Sequence, residues 1–343
     1  MIRFECDYGE GAHPRILERL QETNYEQTPG YGEDWWCHLA ADRIREACAA
    51  PEADVHFVVG GTQANLMVVA SLLLPYEGVI SATTGHIEVH ETGAVEATGH
   101  KVLTVPETEG KISAAQVEAV LAEYADSPVP DHVVKPGMVY ISHPTEYGTL
   151  YRREELKALS DVCRRYGIPL FLDGARLAFA LGAEDNDVSL QDLAELCDVF
   201  YIGGTKCGAL FGEAVVITSP ACKRGFRMIM KQRGGMLAKG RLLGVQFSAL
   251  FEGGLYEEIG RKADAQALRI KKALKEKGIP LYYESTTNQH FFVLTEDQYA
   301  VLKDRYSFSD NGPVPGGRLV RACTSWATRD EDVDRLVADI NQL

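Results

Sequence analysis

YIGGTKCGALFGEAVVI, residues 201–217, sets apolar strands on either side of a glycine-lined turn that carries Lys206. Glycines let a backbone approach a ligand closely. A lysine drawn partly out of water loses basicity and gains the ability to form an imine. Taken alone, the stretch reads equally well as a surface hairpin with a solvated lysine. FLDGAR, residues 171–176, weighs against that. Its apolar run ends at Asp173, near the carboxyl end of a strand, where ligands of open α/β sheets bind. The plain alternative for Asp173 is an ordinary Asp-Gly turn. Lys206 follows Asp173 by 33 positions (206 − 173), room for one helix and one strand, so both residues fall at the same sheet edge.

Two further stretches converge on that edge. VHFVVGGTQAN, residues 55–65, reads as strand, Gly-Gly, then a helix start at Thr62. A helix N-terminus binds phosphate through free N–H groups and its dipole, which makes Gly60, Gly61 and Thr62 a candidate phosphate cup. By itself the turn is only a helix cap, and it is neither GxGxxG nor a Walker sequence. TGHIEVHETGA, residues 84–94, follows a strand at 79–82 and brings His86, His90 and Glu91, a candidate ring-stacking histidine and acid–base groups. A lysine for a Schiff base, a carboxylate to keep a pyridine nitrogen protonated and a phosphate cup are together what pyridoxal 5'-phosphate requires.

The rest of the chain suits an α/β enzyme. Apolar runs at 101–105, 139–142, 169–173, 199–203 and 214–218 alternate with helical patterns at 62–74, 152–166 and 190–197. Strands apolar throughout predict a sheet covered on both faces. After about residue 225, KQRGGMLAKGR leads into long helical patterns through 277. Strands at 290–295 and 319–324 and a final helix from about 330 then complete a smaller α+β domain. The expected division is an N-terminal arm at 1–20, a large domain at 21–235 and a small domain at 236–343. A net charge of −14 argues against nucleic acid or anionic membrane as partner. The opening MIRFECDYGEG lacks a signal-peptide pattern, and no apolar run is long enough to span a bilayer. Eight dispersed cysteines without CxxC spacing indicate no metal site and reduced thiols, hence a cytoplasmic location.

These motifs resemble those of the L-threonine aldolase family, within the aromatic-amino-acid β-eliminating lyase group of fold-type I pyridoxal-phosphate enzymes. The likeness runs from the N-terminus to about residue 220 and more thinly beyond. It implies a mainly parallel central sheet with a smaller C-terminal α+β domain. GGTQAN is similar to the family's phosphate-binding turn, and GHIEVHETGA to its stacking-histidine segment, with His86 on the ring and Glu91 near the substrate. DGAR implies Asp173 on the ring nitrogen and Arg176 on the substrate carboxylate. GGTKCGA implies Lys206 as the Schiff-base lysine and Thr205 near the phosphate. LVRAC implies Arg321 as a second carboxylate contact, and GYGED, residues 30–34, implies Tyr31 near the site across a subunit interface. The chain departs from the family at Glu5, Cys6, Asp7 and Tyr8, where an RSDT-like sequence is common, and at SHPTE, residues 142–146, where the family has EN-T-H and the histidine's role stays open among His143, Thr145 and Glu146. The family's phosphate-binding arginine aligns with Leu237, leaving Arg233, Lys239 and Arg241 as substitutes.

The resemblance implies retro-aldol cleavage of L-threonine, L-allo-threonine or a related β-hydroxy-α-amino acid to glycine and an aldehyde, by a homodimer or homotetramer. Its catalytic residues would be Lys206, His86 and Glu91. The base for the hydroxyl proton stays open among His86, Glu91 acting through water, and a group in 142–146. The alternatives are β-elimination on another amino acid and, more remotely, an inactive pyridoxal-phosphate-fold binding protein.

Overall fold

The computed structural model describes residues 1–343. After β1 (Ile2–Arg3), seven strands form one sheet: β2 (Asp54–Val58), β3 (Glu77–Ala82), β4 (Val102–Val105), β5 (Lys135–Ser142), β6 (Leu170–Asp173), β7 (Val199–Gly203) and β8 (Glu213–Ile217). Their spatial order is β2-β8-β7-β6-β5-β3-β4. β8 alone runs against its neighbours β2 and β7, and the other pairings are parallel. The carboxyl ends of β2, β3, β5, β6 and β7 therefore meet at one edge, together with the first residue of β8.

Strand periodicity divides the side chains between two layers. Val139, Ile141, Leu170, Leu172, Phe200 and Ile202 enter one apolar core, while Met138, Tyr140, Phe171, Val199 and Tyr201 enter the other. Both faces are covered, as the unbroken apolar strands predicted. Asp173 continues the Phe171 side of β6, so it leaves the sheet on the face that carries Tyr140 and Tyr201. The Gly61–Leu72 helix covers that face through Ala64, Met67, Val68 and Val69.

Two glycines let the turns after β6 and β7 meet. A Cβ on Gly203 would run into the Ala175 backbone, and one on Gly174 into the Tyr201 carbonyl. The Gly203 amide instead donates to the Gly174 carbonyl at 2.9 Å.

The C-terminal part carries an antiparallel sheet ordered β11-β12-β9, from β9 (Gln289–Leu294), β11 (Ser309–Val314) and β12 (Gly317–Cys323), while β10 (Tyr306–Ser307) pairs with β1. The change of packing falls later than residue 236. Leu243, Phe247 and Leu250 of the Arg241–Leu250 helix belong to the large core. The Leu255–Glu276 helix serves both bodies: Ile259 and Ala263 pack in the large core, Ile270 and Leu274 in the small one. Its position is set by Gly260, where any Cβ would strike the Ala178 backbone. The N-terminal arm also divides. Phe4 packs in the small core, and Ile16 of the Pro14–Glu22 helix in the large one.

Candidate functional site

At the shared strand edge lies a cavity of about 350 Å³, within the usual range for small-molecule sites. The turns after β2, β3, β5, β6 and β7 all contribute to it. Gly60, Gly61, Thr62, His86, Asp173, Arg176, Thr205 and Lys206, predicted from sequence, all line it. Ser142, Glu146 and Glu213 line it as well.

Lys206 stands in this cavity without a hydrogen bond or ion pair from the protein. Burial lowers its pKa, and the Arg176 charge lowers it further, against the opposing pull of Asp7, Asp173 and Glu213. An amine of lowered basicity and free of partners is suited to attack a carbonyl. Glu213, first residue of β8, accepts from the Thr205 hydroxyl (2.9 Å) and the Gly204 amide (3.1 Å), and burial raises its pKa. The Thr205 hydroxyl also accepts from the Gly212 amide at 3.0 Å, so its proton is already directed to Glu213.

Asp173 accepts four hydrogen bonds. Tyr201 (2.5 Å) and the Ala175 amide (3.0 Å) donate to Oδ1, and Tyr140 (2.6 Å) and Asn65 (3.1 Å) donate to Oδ2. Burial alone would raise its pKa, but the His86 charge and these donors outweigh burial and hold it below the ordinary value. An ionised carboxylate therefore sits on the cavity wall, suited to a cationic ring nitrogen. Asn65 was not singled out from sequence. Its amide also donates to Glu91 Oε1 (2.8 Å), which is in contact with His86 Nδ1 at 2.7 Å. The chain Asp173–Asn65–Glu91–His86 thus fixes the histidine ring. The available signal was a polar residue set among the apolar positions of GTQANLMVVASL.

Glu91 itself is buried behind His86 and does not line the cavity. His90 lies 5.6 Å from His86, ring to ring, and is also outside the cavity.

The turn expected to receive a phosphate offers free donors. Gly60 caps the Gly61–Leu72 helix without a side-chain bond, and the amides of Gly61, Thr62 and Gln63 have no protein acceptor. None of the three proposed substitute cations lines the cavity. Arg241 donates to the carbonyls of Thr23 and Asn24, so its guanidinium is committed there. Unpaired helix amides, a partnerless buried lysine and an ionised aspartate fit pyridoxal phosphate.

The two expected carboxylate-binding arginines behave differently. Arg176 lines the cavity but is paired with Asp7, Nε to Oδ2 at 2.7 Å and Nη2 to Oδ1 at 3.0 Å, leaving Nη1 unbonded. Asn288 adds a third hydrogen bond to Asp7 at 2.9 Å. Arg321 does not line the cavity: Nη1 donates to Gln289 Oε1 (3.2 Å) and Nη2 to the Glu5 carbonyl (3.1 Å). Asp7 escaped assignment because its partner lies 169 positions away.

Tyr31 is likewise outside the cavity, on a surface groove with Arg227, Met228 and Lys231, and Lys231 sits 4.4 Å over its ring. Its φ of 62° is unusual for a residue other than glycine. Trp35 is 65% exposed rather than buried in its own subunit, while Trp36 is bonded to Glu26 at 2.6 Å.

The model of the family named beta-eliminating lyase matches residues 12–297. A low specificity L-threonine aldolase of Pseudomonas sp. (strain NCIMB 10558) is 30% identical over 98% of this chain and 96% of its own. A solved threonine aldolase from Leishmania major is 44% identical, with a TM-score of 0.97 over 100% of this chain and 99% of its own. The aspartate aminotransferase of Thermus thermophilus, at 16% identity, covers 100% of this chain and 91% of its own with a TM-score of 0.71, a likeness of fold.

Proposed function

Because this chain belongs to the beta-eliminating lyase family, in its L-threonine aldolase branch, we propose a division of labour among the residues of its cavity. The protein is a pyridoxal-phosphate-dependent lyase of fold type I that cleaves threonine to glycine and an aldehyde. The observation that carries the assignment of roles is the meeting of Lys206, without a partner, with ionised Asp173 and the unpaired amides of residues 61–63 in one cavity.

Bound there, the cofactor supplies an electron sink for the bond broken at the substrate's α-carbon. Lys206 would hold it covalently, and its burial lowers the basicity of that amine. Asp173 holds the positive charge of the ring nitrogen, and the Tyr140 and Tyr201 hydroxyls keep that carboxylate ionised. The Gly60–Gly61–Thr62 turn receives the phosphate. His86, braced at Nδ1 by Glu91, would help hold the cofactor ring. Arg176 offers its free Nη1 to the substrate carboxylate, and arginine suits that group well. Arg321, held by Gln289 and the Glu5 carbonyl, is the second candidate for the same carboxylate.

We also assign the working form to a homodimer or homotetramer with Tyr31 near the neighbouring site. The groove lined by Tyr31, Met228 and Met236, with exposed Trp35 close by in sequence, supports this, because aromatic residues and methionine are enriched at interfaces. A cytoplasmic location agrees with eight unpaired cysteines, and no helix is long and apolar enough to cross a membrane.

The test is borohydride trapping followed by peptide mapping, with incubation against L-threonine, L-allo-threonine and L-tryptophan. One pyridoxyl peptide containing residue 206, and glycine without pyruvate from the hydroxy-amino acids, are expected. A label on another lysine removes the role given to Lys206, and pyruvate as the main product replaces aldol cleavage with β-elimination.

A further inference from the structure

Three carboxyl groups line the cavity: Asp173, Glu213 and Glu146. Their hydrogen bonds separate them. Both oxygens of Asp173 accept two donors each. Glu213 accepts at Oε1 from Thr205 and at Oε2 from the Gly204 amide. Glu146 takes both of its donors on one oxygen: Ser142 Oγ at 2.7 Å and the His86 amide at 2.9 Å both reach Oε1. Its Oε2 has no hydrogen bond from the protein. Among the cavity's carboxyl groups this is the one oxygen left without a donor.

We propose that Glu146 is the base that takes the β-hydroxyl proton of the substrate, an assignment that rests on the threonine aldolase reading above. In the step, the substrate O–H bond breaks and its proton passes to Glu146 Oε2. The oxygen electron pair forms the aldehyde C=O, the Cα–Cβ bond breaks, and its electron pair stays with the α-carbon. Return of one proton to that carbon completes glycine, so substrate and products balance without a further reagent.

The setting suits the role. Ser142 at the end of β5 and the first amide of the His86–Val89 helix hold Oε1, which orients Oε2 without consuming it. Burial raises the Glu146 pKa and the Asp173 charge raises it further, while the bonds from Ser142 and His86 act in the opposite direction. The ionisable groups that face it are Lys206 and Glu213, which line the same cavity, and Tyr140 and Tyr151 of the β5 region, whose hydroxyls its charge pushes up. A base with a raised pKa works closer to neutral pH and accepts a hydroxyl proton more readily. Glu91 is excluded from this role by its burial behind His86.

Glu146→Gln tests the assignment, since the amide preserves an acceptor for Ser142 and His86 and removes the basic oxygen. Cofactor absorbance and the deuterium exchange of glycine's α-hydrogen, a reaction without a hydroxyl, should stay within about threefold of wild type. Threonine cleavage should fall by about a hundredfold or more, in scale with general-base catalysis. In the cofactor-free protein, the infrared carboxyl signal titrating above the usual carboxylate range should lose one component in E146Q, that of Glu213 remaining. Near-wild-type cleavage, equal losses of exchange and cleavage, or an unchanged infrared titration overturns the proposal. Should E146Q fail to fold, Ser142→Ala keeps the carboxyl but removes one bond to its charged form. The acid limb of threonine cleavage should then move to higher pH, and an unmoved limb overturns the proposal. Failure of the wild type itself to bind the cofactor or cleave threonine would instead sink the underlying functional reading.

Discussion

Asp7→Asn strikes the most enclosed ion pair of the cavity, and its consequence can be worked from the structure. The Asp7 side chain is 0% exposed and that of Arg176 12%. Burial pushes the Asp7 carboxyl up, but the charges of Arg176 and Lys206 and the bonds from Arg176 and Asn288 outweigh it and hold the pKa at about 2 rather than 3.8. That difference corresponds to about 2 kcal/mol of stability at neutral pH. Because the folded value is the lower one, the contribution is complete above the unfolded pKa of 3.8 and is lost as pH falls towards 2. The substitution also leaves Arg176 charged and largely buried. Breaking such a pair from one side costs about 3–5 kcal/mol, and the oxygen that asparagine retains places D7N near the lower end, about 3 kcal/mol. Urea unfolding of the cofactor-free wild type, D7N, R176M and the double variant at pH 7 should give a coupling of about 1.5 kcal/mol or more. The wild type should also lose stability on acidification below pH 4 more steeply than D7N. Stability of D7N within about 0.5 kcal/mol of wild type, or simple addition of the two single effects, would refute the pairing as a source of stability.

Other consequences are equally direct. Asp173→Asn should retain cofactor but lose over about a hundredfold in turnover, or about 3 kcal/mol of transition-state stabilisation; near-normal rates would reduce Asp173 to a turn residue. Tyr201→Phe removes a donor to the ionised Asp173, so the Asp173 pKa should rise and the acid-side loss of the cofactor's absorbance begin at higher pH; a superimposable titration argues that the hydroxyl has no such influence. Lys206→Ala and Tyr31→Ala, each inactive, should partly restore activity when mixed and refolded if sites are shared, and proven subunit exchange without rescue rules sharing out.

Some of this protein was legible because its signals are local. The run FLD followed by Gly174 placed Asp173 at a strand end, and strand ends in a parallel sheet share an edge. IGGTK placed Lys206 by the same reasoning, and GGT placed a helix N-terminus. Other details depended on distant segments. Glu91 lies in the same segment as His86, yet it faces inward because the chain bends between the short His86–Val89 helix and the next turn. Arg321 was placed in the right strand, but the N-terminal arm that packs against that strand offers the Glu5 carbonyl, and the arginine turns to it. The large domain extends beyond residue 236 because Gly244 of the Arg241–Leu250 helix fits against Cys37, a contact between segments about 200 positions apart.

By itself, then, the sequence determined which chemical groups arrive at the carboxyl edge of the sheet, since period-two alternation and glycine turns act over a few residues. Tertiary structure alone decided what those groups do to one another. Asp7 neutralises Arg176, Asn65 joins Asp173 to Glu91, and two donors crowd one oxygen of Glu146 while leaving the other free. Each of these depends on how separate segments dock to within hydrogen-bonding distance. Burial then removes the water that would otherwise screen the charges, so the partner chosen by the fold sets the protonation of the site.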